Sequence, residues 1–575
     1  MTRAVLASGL LIAWAVQAQL IPPGNLVPVT TLPPVVFING FQFEGCPSTF
    51  SGTFGIADQV LQANGEVSLF FSTCSLGSSA TIEDLAGAFG TFLAGLKYTN
   101  GQPVTTVDVV AHSMGGLVLR CYLSGKQNVR QTFKPPGVAG IRKAVFLATP
   151  HFGTPIASLL PVSNQVQEMA GGSAFLFDLA TWNDGADDLR GVDAVAAIGN
   201  AGSGGLNEPA GSDDGVVPLT SGSLRFYLPG RTRVVSYCHI SGGGIISIFN
   251  LCPSSAKGIA KIDSAMHDSA QIITSFLSGT NAWQSVGTAP ENDPFLSKDS
   301  GLIVAAHAAD DSNLNIDSAT ANSTKLSISS DHIAFANLLP AGTQMLNVTS
   351  GSTTISNSVT LPAGGYEPFL VKQGPQIARV YSAAAANFPL ELAPRMIVSI
   401  YGSSLADATV LLNASVLTLD YNSATQINAL LPDNASGFMQ LTVETSAGKS
   451  SVNLLIGAAA PTLFTQDSSG TGPAAALKAS DQSLVTAANP LHPGDAVELY
   501  ATGLGTAVPQ PMVTVGGINC PVTFAGPAPG YMGLDQINCT IPAGVVPSNF
   551  LGSSIPVVIN TGDRSSNAAT LAIAD

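Results

Sequence analysis

Charge is scarce in this chain. Only 10% of its 575 residues are Asp, Glu, Lys or Arg, against about 25% in average domains. Positive charge is scarcest, with 22 Lys and Arg facing 37 Asp and Glu for a formal net charge of −15. Such a surface repels phosphate backbones and anionic headgroups, which argues against a nucleic-acid partner and leaves apolar attraction as the route to any lipid. Long apolar runs are also lacking. The run from Ala4 to Val16 has 13 residues, where a bilayer span needs about 20. With Arg3 ahead of it and Val16 and Ala18 before a cleavage point, residues 1–18 read as a signal peptide and 19–32 as a linker. The chain is therefore expected to be secreted, without a transmembrane anchor. No Cys or His cluster has zinc spacing and no Gly-rich phosphate loop occurs, so neither metal nor cofactor is expected.

The charge that exists is unevenly placed. Residues 1–283 hold 14 Lys and Arg against 17 Asp and Glu, a net of −3, and residues 284–575 hold 8 against 20, a net of −12. Export makes the seven cysteines a disulfide question. Six fall into sequence-local pairs, Cys46 with Cys74, Cys238 with Cys252 and Cys520 with Cys539, which leaves Cys121 as a buried free thiol on an apolar helix.

The chemistry-bearing stretch is Val107-Asp108-Val109-Val110-Ala111-His112-Ser113-Met114-Gly115-Gly116. An apolar strand runs into a turn of small residues that lifts one serine, the layout of a nucleophile elbow, so Ser113 is the candidate nucleophile. A serine hydroxyl needs a histidine base and a carboxylate to orient that base. In elbow architectures the chain order is Ser, acid, His. Downstream, Gly211-Ser212-Asp213-Asp214-Gly215-Val216-Val217 offers two acids, and the seven histidines offer His239, after the strand-like Arg233 to Cys238, and His267, before the apolar stretch Ser269 to Leu277.

These residues resemble the α/β-hydrolase lipases and esterases, especially small bacterial lipases whose elbow reads A-H-S-M-G-G. The resemblance covers residues 33–283 and rests on three more motifs in order: Pro34 to Ile38 before the loop Asn39-Gly40-Phe41-Gln42, Thr149-Pro150-His151-Phe152-Gly153 after a strand, and Asp214-Gly215-Val216-Val217. Asn39 stands where the family's oxyanion loop usually has His. The resemblance implies a parallel sheet with helices on both faces, Asp214 as acid with Asp213 the alternative, and His267 as base with His239 the rival. It also implies oxyanion donors at the amides of Met114 and Phe41, with Gln42 in reserve, and a lid or cap at 155–190. Leu159, Leu160, Met169, Phe175, Leu176, Phe177, Leu179 and Trp182 of that segment either line an acyl site or form the cap's own core. His112 and His151 are expected to pack beside the site.

Beyond residue 283 the pattern changes to short alternating strands between turns, as in immunoglobulin-like β-sandwiches. The expected units are a small β module at 284–375 and sandwiches at 376–459 and 460–575. The last two carry an internal repeat: Leu392-Ala393-Pro394 through Tyr401-Gly402 recurs as Leu491-His492-Pro493 through Tyr500-Ala501, and Gln426-Ile427-Asn428 recurs as Gln536-Ile537-Asn538. They resemble tandem modules of the IPT/TIG kind, so contact with a cell surface or polymer is expected of them. The functional expectation is a secreted serine ester hydrolase. The alternatives are an extracellular binding or adhesion protein with a vestigial hydrolase domain, and an amidase or thioesterase using the same residues.

Overall fold

The computed structural model describes residues 26–574 except 43–48, 78, 127–139, 160–162, 183–188, 205–208, 242–250, 386–391, 506–509, 546–552 and 563. Residues 1–18, where a signal peptide is expected, Cys46 (hence the Cys46–Cys74 expectation) and Leu160 lie outside the described residues.

Six strands form one parallel sheet: β1 (Val35–Ile38), β2 (Ser68–Phe71), β3 (Val107–His112), β4 (Ile141–Leu147), β5 (Asp193–Gly199) and β6 (Thr232–Val235), in the order β2-β1-β3-β4-β5-β6. β1 and β3 are buried along their whole length. The pleat sends Val36, Ile38, Val109 and Ala111 into one core and Val35, Phe37 and Val110 into another, so each strand must be apolar on both faces. Helices α1 (Ile82–Gly95), α2 (Met114–Ser124) and α3 (Ala174–Thr181) supply the first core, and α4 (Asp268–Leu277) the second. α1 starts at a capping box in which Thr81 Oγ1 accepts from the Asp84 amide and Asp84 accepts from the Thr81 amide. That pairing satisfies two donors a helix start otherwise leaves orphaned. No helix among the described residues is long and apolar enough to cross a membrane.

The rest of the chain is antiparallel in the main. Strands between Asp299 and Lys372 form two sheets around their own core, while Ile303, Ala305, Ile333 and Tyr366 belong to the core shared by α1, α2 and α3. Tyr366 stacks on Phe152 with ring centres 4.3 Å apart, and Phe335 covers Gly171 and Gly172 so closely that a Cβ on either would lie 2.5 Å from its ring. This module is therefore built onto the α/β unit. Two further sandwiches follow, one around Val398, Ile427 and Val443, the other around Leu499, Ile537 and Val557.

The repeat reappears as strand register. Tyr401 sits opposite Gln426 and Ser399 opposite Asn428; in the second copy Tyr500 sits opposite Gln536 and Glu498 opposite Asn538. Even the amide pair is kept, with Gln426 Nε2 donating to Asn428 Oδ1 at 2.9 Å and Gln536 Nε2 to Asn538 Oδ1 at 2.8 Å. Cys520 and Cys539 are bridged inside the last core, Cys238 and Cys252 are bridged in the α/β unit, and Cys121 is free and buried.

Candidate active site

The carboxyl end of β3 runs directly into α2, and the residue at the junction is Ser113. Its backbone has φ 55° and ψ −129°, a region that costs a non-glycine residue on the order of 1–3 kcal/mol and survives only where packing dictates it. Here the packing is plain. A Cβ on Gly115 would lie 2.7 Å from the carbonyl oxygens of Ile38 and Asn39, and one on Gly116 would lie 2.0 Å from Thr149 Oγ1. The Ser113 amide also donates to Leu147 O at 2.9 Å, tying the turn to β4.

A second loop closes on the serine from β1. A Cβ on Gly40 would lie 2.6 Å from Ser113 Cβ and 3.1 Å from Ser113 Oγ. Asn39, where the lipases usually have His, accepts from the Thr73 amide at 2.8 Å and from Thr73 Oγ1 at 3.2 Å through Oδ1; Thr73 Oγ1 also reaches Gly40 O at 3.0 Å. These bonds brace the loop that carries Phe41. Gln42 folds back, its Nε2 donating to Gly40 O at 3.1 Å. Met114 opens α2, so its amide is one of the four helix-start donors without an intrahelical partner.

The acid turn follows β5. Asp214 is 1% exposed; its Oδ1 accepts from the amides of Val216 (3.0 Å) and Val217 (2.7 Å), which leaves Oδ2 for His239 Nδ1 at 2.8 Å. His239 Nε2 lies 2.8 Å from Ser113 Oγ. The neighbouring Asp213 accepts from the Gly215 amide at 2.7 Å and so caps the turn.

The histidine between serine and acid is thus His239, not the expected His267. His267 precedes α4 as its N-cap residue, stacks on Tyr237 with ring centres 4.2 Å apart, and has neither ring nitrogen bonded to Ser113 or Asp214. Burial depresses its pKa. The reason for the difference lies in the chain path. β6 ends beside the acid turn and His239 follows within four residues, its amide donating to Asp214 O at 2.8 Å. Gly258 pairs back onto Cys238 before α4 begins. The Cys238–Cys252 bridge sits under this pair: Cys252 Sγ is 3.3 Å from Asp214 O, and a Cβ on Gly215 would be 3.0 Å from that sulfur.

His112 packs against His239, whereas the ring of His151 lies against Phe146 and Phe226 and its carbonyl accepts from Arg120; burial holds both histidines well below the usual imidazole pKa. The Nε2 of His112 lies 3.3 Å from His239 O and its ring 4.8 Å from the His239 ring. Its place directly before Ser113, at the end of a wholly buried strand, was the available signal. The apolar residues of 155–190 that the structure describes behave as core: Met169, Phe175, Leu176, Phe177 and Leu179 are buried with α1 and α2, Trp182 packs against Leu455 and Phe438 of the second module, and Leu159 is largely exposed. Of the two alternatives open for these residues, their burial fits the core one, except that the core is the one shared with α1 and α2, on which α3 spends its apolar face.

No protein-family model and no curated protein sequence matches the chain. Among solved structures it is similar to phospholipase PlaB from Legionella pneumophila, at 13% identity over 59% of this chain and 93% of that one, with a TM-score of 0.41. It is also similar to lipase BlEst2 of Bacillus licheniformis in its propeptide form, at 14% identity over 75% and 95%, with a TM-score of 0.31. At these values neither neighbour informs the roles of the residues above, which rest on the geometry.

Proposed function

We propose that the chain is a serine hydrolase acting on carboxylic esters, with Ser113 as nucleophile, His239 as general base and Asp214 as the acid that orients it. The observation that carries this reading is the pair of 2.8 Å contacts of His239, Nε2 to Ser113 Oγ and Nδ1 to Asp214 Oδ2. Ser113 Oγ attacks the acyl carbonyl while His239 Nε2 takes its proton, and the Asp214 carboxylate stabilises the imidazolium. The tetrahedral oxyanion forms near the amides of Met114 and Phe41, where preorganised donors can strengthen as charge develops. His239 then hands the proton to the leaving alkoxide, and a water activated by the same histidine releases the acid and regenerates Ser113.

Secretion belongs to the same proposal. It is supported by the bridges Cys238–Cys252 and Cys520–Cys539, which persist in oxidising compartments. The test is hydrolysis of p-nitrophenyl esters of increasing acyl length by the protein and by Ser113→Ala, with a fluorophosphonate probe on both. Turnover and labelling in the parent and neither in Ser113→Ala support the reading. A folded parent that neither turns over nor is labelled would overturn it in favour of a binding protein.

A further inference from the structure

A cavity of about 790 Å³ opens where the α/β unit and the first two β modules meet, away from the Ser113 site. Its walls come from α3 and the Phe226-Tyr227 pair, from the strands Asp299–His307 and Tyr366–Lys372, and from Gln376–Ser382 and Gly448–Ile456. The walls are held in place. Asp331 accepts from the Ala174 amide at 2.7 Å at the start of α3, the Lys449 amide donates to Ala309 O at 2.8 Å, and Trp182 stacks near Phe438.

Three properties of the lining point the same way. First, Tyr227 and Tyr381 present half-buried rings to the cavity, and neither hydroxyl makes a hydrogen bond among the described residues. Second, the planar groups of Asn313, Asn315, Asn453 and Glu367 also line it, and none of these side chains makes a hydrogen bond among the described residues. Third, the described lining includes Asp178, Asp331 and Glu367, with Arg379 as its one Arg or Lys among the described residues, which disfavours an anion. An acyl chain is disfavoured as well. It would strip water from donors and acceptors and return nothing, at about 1–3 kcal/mol for each group left unpaired.

We propose that this cleft binds an uncharged oligosaccharide segment of a polymer. A sugar ring offers an apolar C–H face to an aromatic ring and an edge of hydroxyls to amides and carboxylates, matching two tyrosines set among three asparagines and a glutamate. The volume falls in the range of about 300–1,000 Å³ that holds compact organic ligands, enough for a short run of rings. The site stands whether or not the Ser113 reading does.

Affinity electrophoresis of the full chain through gels containing hydroxyethyl cellulose, galactomannan, arabinoxylan or dextran tests this, with carboxymethyl cellulose and a basic peptide as competing ligand classes. The expected result is retardation by at least one neutral polymer, weakened tenfold or more in Tyr227→Ala, Tyr381→Ala and Glu367→Gln, and kept in Ser113→Ala. Asn313→Ala, at an exposed position, gives the same readout should a tyrosine variant fail to fold. Absence of retardation by all four neutral polymers, equal retardation in folded cleft variants, or preference for the anionic polymer or the peptide would overturn the proposal.

Discussion

Removing the Cys238–Cys252 bridge, as Cys238→Ser with Cys252→Ser, should lower stability and activity by separable amounts. The bridge closes a loop with a sequence separation of 14. In the chain-entropy account, cross-linking a loop of that size stabilises the folded state by about 3 kcal/mol. The effect on activity is local. Cys238 is bonded through its backbone to Lys257 and Ile259, its neighbour His239 donates to Asp214 O, and Cys252 packs against the Asp214 carbonyl and Gly215. Freed of the bridge, the base and the acid sit on segments that can drift, and a misplacement on the order of 1 Å costs about a hundredfold in rate. The assay is the urea midpoint of activity loss together with kcat/KM in dilute buffer, where both proteins are folded. A fall of about 2–4 kcal/mol in stability and of about tenfold to a hundredfold in kcat/KM is expected. Unchanged kcat/KM in a destabilised variant would refute the positioning argument, and unchanged stability would refute the staple itself.

Gly40→Ala should cut ester turnover by about a hundredfold or more and cost about 1–3 kcal/mol of stability, because its Cβ would lie 2.6 Å from Ser113 Cβ and must push the Phe41 loop or the serine aside; wild-type turnover contradicts this. Asp214→Asn should lower kcat by about 10⁴-fold at unchanged fold, the loss seen when an acid of this kind can no longer hold the correct imidazole tautomer, and pre-steady-state release of p-nitrophenol reads it. Glu168 is pushed up to about 8, chiefly by burial and then by Glu83, although its carboxylate accepts from the Ile82 amide at 2.7 Å. Its folded pKa exceeds the unfolded value, so it holds a proton that the unfolded chain loses; stability should decline as pH rises from about 4.5 to about 8 and level off above that. Glu168→Gln should flatten that decline in urea midpoints, and an identical slope would contradict it.

The parallel sheet was legible because buried strands must be apolar on both faces: Val35 to Ile38 and Val107 to Ala111 could be read as strands with no further context. The serine was legible for a related reason, since the small residues Gly115 and Gly116 have no use in an ordinary helix start but are required where Thr149 and the Ile38 carbonyl press in. The Tyr401 and Tyr500 repeat was readable as sequence and returned as strand register. The histidine was legible only down to two candidates, His239 and His267. His267 matches the local pattern of a residue ahead of an apolar helix, whereas His239 is defined by tertiary facts: where β6 ends and which turn lies beside it. The apolar residues of 155–190 stayed open between acyl site and core in the same way, because whether an apolar helix face meets substrate or another element depends on partners far along the chain, among them Ile333 and Tyr366.

The most direct test of the central claim compares His239→Ala with His267→Phe, the latter keeping a ring to stack on Tyr237. Both are assayed for p-nitrophenyl ester turnover and for the rate of fluorophosphonate labelling at Ser113. The account predicts that His239→Ala loses about 10⁴-fold or more in kcat and labels slowly or not at all, while His267→Phe stays within about tenfold of the parent. Retained activity in His239→Ala, with loss confined to a folded His267→Phe, would contradict it.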